Sequence, residues 1–164
     1  MIESLNYCIS DIYLQEIPDE ISLGISFTGC PMHCIGCHSP FLQKDHRKAL
    51  TGMPMTNERL LELINKNNGV SCFLAYGGDW NPEALANILY TAKANGLKTA
   101  LYSGNTLRYN ITKDYWYLLD YIKTGAYIEA LGGLHSPNTN QQLFMINHTL
   151  HTIKDITYKL QRKF

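Results

Sequence analysis

Three thiols within eight residues, Cys30-Pro31-Met32-His33-Cys34-Ile35-Gly36-Cys37, are the densest chemistry in this 164-residue chain. Thiolates are soft donors that suit iron-sulfur clusters and zinc. Four of them would close the coordination of a four-iron cluster, but no fourth cysteine stands near these three. Three leave one iron with an open position, and an open position invites substrate, as it does in catalytic zinc sites. The alternative is a structural zinc held by the three cysteines and either His33 or His38, although the second ligand pair usual in zinc ribbons is absent. Spacing alone leaves both open. Cys8 and Cys72 sit apart in apolar runs and read as buried core thiols.

The elements around this loop alternate strand and helix. The run from Ile21 to Thr28 alternates apolar and small residues and ends at Gly29, so it reads as a strand leading straight into the cysteine loop. Thr56 can cap a helix with Leu60, Leu61, Leu63 and Ile64 on one side, stopped by Asn68-Gly69. Val70 to Tyr76 follows as a strand closed by Gly77-Gly78. Asn81 as N-cap, Pro82 at the first helical position and Gly96 as terminator bound a second helix. Lys98–Tyr102 and Tyr121–Lys123 read as two further strands, with a short helix over 113–119 between them. Strands joined by helices imply a parallel sheet whose strand-end loops gather on one edge. Beyond Pro137, Leu143 to Ile146 reads as a strand, and Ile153 to Leu160 fits either a strand or a terminal helix.

Basic and acidic residues balance at 14 each and no basic cluster is present, which argues against nucleic acid as a partner. Eleven tyrosines, six of them from Tyr90 to Tyr121, read as core filler because no basic patch accompanies them. No run approaches the ~20 apolar residues of a membrane span, and the N-terminus lacks the features of a signal peptide. One soluble, cytoplasmic domain over 1–164 is the expectation, with no membrane partner. His46, His148 and His151 read as surface residues, and His135 belongs to a loop, from Gly132 to Pro137, that is a candidate for substrate contact without an assigned role.

The cysteine spacing directly after a strand resembles the signature of the radical S-adenosylmethionine superfamily. Gly77-Gly78-Asp79, at the end of the next strand, resembles its glycine-rich methionine-binding motif, with Asp79-Trp80 in place of the commoner Glu-Pro. Gly36 stands where many members have an aromatic residue, and here the chain is similar to the activating proteins of anaerobic ribonucleotide reductase. That similarity continues through Tyr102-Ser103-Gly104, the stretch from Tyr121 to Glu129, and the stretch from Ser136 to Gln141.

The resemblance implies a partial αβ barrel of the TIM type. It implies a 4Fe-4S cluster on Cys30, Cys34 and Cys37, and S-adenosyl-L-methionine chelating the open iron. Gly77 and Gly78 would let backbone approach the methionine, and Asp79 would accept from its amino group. Ser103 would bind methionine or ribose, and Lys123 would pair with the carboxylate. Backbone of Gly36, Cys37 and His38 would lie beside the adenine. The implied partners are a glycyl-radical enzyme, foremost anaerobic ribonucleoside-triphosphate reductase, and a one-electron donor such as flavodoxin or ferredoxin. Activation of another glycyl-radical enzyme, such as a formate lyase, and a non-catalytic zinc-stabilised binding module are the alternatives.

Overall fold

The structure, a computed structural model, describes residues 3–44 and 51–161. Its strands are β1 (Asn6–Tyr13), β2 (Ser22–Phe27), β3 (Met53–Pro54), β4 (Cys72–Tyr76), β5 (Lys98–Tyr102), β6 (Tyr121–Thr124), β7 (Gln142–Asn147) and β8 (Thr152–Asp155). They form one mixed sheet in the order β3-β1-β2-β4-β5-β6-β7-β8. The four central strands, β2, β4, β5 and β6, run parallel. Every residue of β2 is buried, and so are the first four of β4, as expected for strands covered on both faces.

Helices α1 (Asn57–Lys66) and α2 (Pro82–Ala94) supply the first two crossovers. Both begin at the caps legible in the sequence. Thr56 accepts from the Arg59 N–H at 3.1 Å, and Asn81 accepts from the Ala84 N–H at 3.3 Å. Such caps satisfy amide protons that the helix leaves unpaired, each contributing about 1 kcal/mol. Leu60 and Leu63 of α1, with Leu85 and Leu89 of α2, pack on one sheet face against Leu23, Ile25, Phe27, Phe73 and Ala75. The other face carries Cys72, Leu74, Ala100, Tyr121 and Leu143, and Ile17, Leu134 and Ile156 cover it from the connecting segments.

On this second face a buried carboxylate, Glu20, receives the Lys98 ammonium and the hydroxyls of Ser71 and Tyr121. It ties the start of β2 to β5 and β6. Cys72 is fully buried, as its apolar setting implies, whereas Cys8 is half-buried with its thiol 3.9 Å from the Ser26 carbonyl.

Several expectations are corrected. The sheet is open, its order linear, and the closure of a barrel is not shown. β1 joins β2 antiparallel and β7 joins β6 antiparallel, so both flanks depart from the parallel pattern. Among the described residues the 125–141 connection contains no helix to carry the chain back across the sheet, and without a crossover the next strand pairs antiparallel. β1 escaped the sequence reading because Ile9, Ser10 and Asp11 are all exposed and its register shifts between Tyr7 and Ile9.

The helix over 113–119 is a 3-10 helix, Asp114–Leu118, preceded by one helical turn, α3 (Leu107–Asn110), capped by Thr106. The ambiguous tail resolves into a β7–β8 hairpin and a short 3-10 turn, Thr157–Lys159. His148 is not a plain surface residue: it is half-buried, its Nε2 lies 2.9 Å from the Leu119 carbonyl, and its ring meets Trp116 edge-on. His46 lies outside the described residues.

Candidate functional site

The parallel register sets the stage. Ser26, Tyr76, Tyr102 and Lys123 are successive partners across β2, β4, β5 and β6, so the ends of these strands lie side by side. A cleft of about 540 Å³ opens over this edge, within the ~300–1,000 Å³ typical of small-molecule sites.

Beyond β2, Gly29 adopts a left-handed φ of +94° that turns the chain into the cysteine loop. The loop is anchored at its base: the Gly29 and Cys30 N–H groups both donate to the Leu42 carbonyl at 2.8 Å, and Lys44 N–H donates to the Cys30 carbonyl at 2.8 Å. Cys30, Cys34 and Cys37 are each half-buried and all three line the cleft. Burial pushes the Cys30 thiol up, and the nearby Asp79, Cys34 and Cys37 add to that, outweighing a backbone hydrogen bond that opposes it.

Among the described residues no group of three His, Cys, Asp or Glu side chains is arranged to hold a single metal ion. His33 is exposed, and His38 faces Tyr127, with Nε2 3.3 Å from the phenol oxygen and ring centroids 4.9 Å apart. An iron-sulfur cube imposes a looser demand, since each thiolate binds its own iron and the donors need not meet at a point. Three soft donors at the mouth of a cleft fit that group.

Lys123 reaches into the same cleft. Burial pulls its ammonium down to about 8, against the opposing pull of Cys34, Asp79, Cys30 and Cys37. Tyr76 and Tyr102 make an aromatic wall, edge to face at 5.2 Å, and the Tyr102 hydroxyl donates to the Glu16 carbonyl at 2.7 Å. Burial pushes both phenols well above their ordinary range, so they remain neutral.

The residues after β4 divide between cleft and core. Gly77, at φ +76°, lines the cleft, and a Cβ there would lie 2.6 Å from the Trp80 ring. Gly78, at φ +98°, has its Cα packed toward the core: a Cβ on it would meet Leu5 and Phe27 at 3.1 and 3.2 Å. Asp79 is 4% exposed and lines the cleft, with Oδ2 accepting from Ser103 Oγ at 2.6 Å and Asn105 Nδ2 at 2.7 Å.

Ser103, expected to touch a ligand, is fully buried and holds Asp79 rather than facing the cleft. Cys37 and His38 line the cleft, while Gly36 sits at its rim with φ +73° and the Glu129 carboxylate packed where a Cβ would stand, 2.7–3.0 Å away.

The sequence reading missed Trp80, Asn105, Glu16 and Tyr127. Trp80 follows a motif already recognised and Asn105 follows the Ser103-Gly104 turn, so proximity to a strand end was the available signal. Tyr127 lies within the stretch from Tyr121 to Glu129 that carries the resemblance but had no role of its own, and Glu16 carried no signal, because the β1–β2 connection has no motif.

Neither the curated proteins nor the solved structures contain a match to the chain. A family match does exist, and it spans residues 21–142, from the residue before β2 to the first residue of β7. That span takes in the cysteine loop, the Gly77-Gly78-Asp79 turn, Ser103 and Lys123 together. With most of its length inside the match and three cysteines gathered at the cleft, the chain belongs to the 4Fe-4S single cluster domain family.

Proposed function

We propose that this chain is a radical S-adenosylmethionine enzyme that activates anaerobic ribonucleotide reductase by generating a glycyl radical on it. The observation that carries this reading is the shared cleft of the three cysteines, Asp79 and Lys123. A carboxylate and an ammonium in one cavity complement the two ends of an α-amino acid, with Asp79 accepting from the amino group and Lys123 pairing with the carboxylate. The four parallel strands, with the site over their C-terminal ends, agree with the placement of ligand sites in α/β enzymes.

The chemistry such a cluster would supply when bound is the single electron for reductive cleavage of S-adenosylmethionine, coupled to loss of a hydrogen atom from a glycine of the partner. Cys30, Cys34 and Cys37 would hold the cluster. The neutral tyrosine wall and Trp80 give the nucleoside half an apolar surface and keep water from the reacting atoms. The loop around Gly36 and the lack of an additional cysteine-rich insertion favour the reductase over a formate lyase as the partner. A cytoplasmic flavodoxin or ferredoxin would deliver the electron.

The test is anaerobic. Reconstituted protein, reduced in the presence of S-adenosylmethionine and the reductase, is expected to release 5'-deoxyadenosine and give a glycyl-radical resonance on the partner. Release without a resonance defeats the choice of partner. A colourless protein that releases nothing defeats the enzyme reading.

A further inference from the structure

Behind Asp79 runs a line of buried polar groups: Ser103, Asn110 and Tyr115 each show no exposed surface. The Tyr115 hydroxyl lies 2.7 Å from Asn110 Oδ1. Asn110 Nδ2 lies 3.2 Å from Ser103 Oγ and 2.8 Å from the Thr106 carbonyl. Ser103 Oγ lies 2.6 Å from Asp79 Oδ2 and 3.0 Å from the Asn105 N–H.

The inventory of donors fixes every proton. An amide oxygen only accepts, so Tyr115 donates to Asn110. The Asn110 NH₂ only donates, giving one proton to the Thr106 carbonyl and the other to Ser103. A serine hydroxyl has one proton and two lone pairs. Both lone pairs of Ser103 are taken, by Asn110 and by the Asn105 N–H, so its proton must point at Asp79. All the donors run one way, from the phenol to the carboxylate, and Ser103 has no capacity left for a ligand.

Asp79 Oδ2 thus accepts two hydrogen bonds from protein, Ser103 and Asn105. No hydrogen bond to Oδ1 is formed among the described residues and Asp79 lines the cleft, so Oδ1 is the carboxylate oxygen that the relay leaves uncommitted.

We infer that Tyr115 and Asn110 are positioning residues: through Ser103 they set the orientation of the Asp79 carboxylate and hold its Oδ1 toward the amino group of the ligand. This deepens the proposed function and rests on it. Neither residue lines the cleft, so any effect on binding is carried through Asp79. Chains of this kind polarise one another in a low-dielectric interior, and removal of one member is felt at the end.

The test compares two ligands on cluster-loaded protein under anaerobic conditions, by equilibrium dialysis. S-adenosylmethionine carries the amino group, and 5'-methylthioadenosine lacks the whole amino-acid part. For Tyr115→Phe, which keeps the buried ring, we expect about fivefold weaker S-adenosylmethionine binding, the loss typical of one buried hydrogen bond, with 5'-methylthioadenosine unchanged. Ser103→Ala should give a larger loss of the same selective kind, and serves if the phenylalanine variant does not fold. The cluster absorption should match wild type in both. Equal weakening for both ligands, or weakening for neither, overturns the relay while leaving the function reading intact. Wild-type protein that binds no S-adenosylmethionine overturns the function reading and the relay with it.

Discussion

Lys123 and Tyr102 are register partners on neighbouring parallel strands, and the lysine ammonium lies 5.5 Å from the tyrosine ring centroid. The ring face offers the cation an apolar but electrostatically favourable bed. It keeps the ammonium inside the cleft instead of letting the long side chain extend to solvent. Replacing Lys123 by Met preserves the stem and deletes the charge. S-adenosylmethionine affinity is expected to fall about tenfold, as for a lost charge-assisted hydrogen bond, with cluster content unchanged. Equilibrium dialysis with parallel iron analysis measures both.

Cys34→Ala leaves two thiolates for the cluster. Iron and sulfide bound after anaerobic reconstitution are expected to drop to near background and adenosylmethionine cleavage to disappear, because half of a four-thiolate ligand set does not hold the cube. Cys72→Ala is the control. Its thiol lies in the core with its pKa pushed up to about 12 by burial, so cluster content should stay at the wild-type level.

Glu20 gives the pH dependence of stability. Burial alone would raise its pKa, but hydrogen bonds from Lys98, Ser71 and Tyr121 outweigh that and hold the carboxyl below its ordinary range. A folded-state pKa below the unfolded one contributes stability that is fully present above the unfolded value, about 4.3, and is lost as pH falls through the folded value. Glu20→Gln is therefore expected to lower stability at pH 7 by about 1–3 kcal/mol, the cost of a weakened buried network. It should also flatten the acid limb below pH 4.3 or so. Urea unfolding midpoints across pH give both numbers, and an unaltered acid limb would show that Glu20 is not the titrating group.

Gly78→Ala tests which side of the wall that glycine serves. The residue has φ +98°, and a Cβ would press on Leu5 and Phe27. The expected result is a stability loss of about 1–3 kcal/mol from the strained backbone, with little change in ligand affinity once folded. Weakened binding with undiminished stability would return Gly78 to the cleft.

What the sequence disclosed and what it concealed follow from the range of the forces involved. The caps at Thr56 and Asn81 and the glycine ends of β2 and β4 are local, set by residues within a few positions, and were readable. So was the convergence of strand-end motifs, because parallel strands put their loops on one edge. The place of Ser103 was not readable, since it depends on Asn110 and Asp79 meeting in space. Glu16 reaches the cleft from the β1–β2 connection, and its position follows from the fold of the whole sheet. β1 hid because strand pairing at a flank requires no alternating pattern when its middle faces solvent.

Gly36 and Glu129 are 93 positions apart in the chain, yet the carboxylate of one occupies the volume a side chain on the other would need. Bulk at 36 would displace the Glu129 carboxylate, the free end of an exposed side chain, and would strain a backbone held at φ +73°. The demand at 36 is thus set mainly by its left-handed backbone, and the glycine that meets it also leaves room for an acid beside the third cysteine.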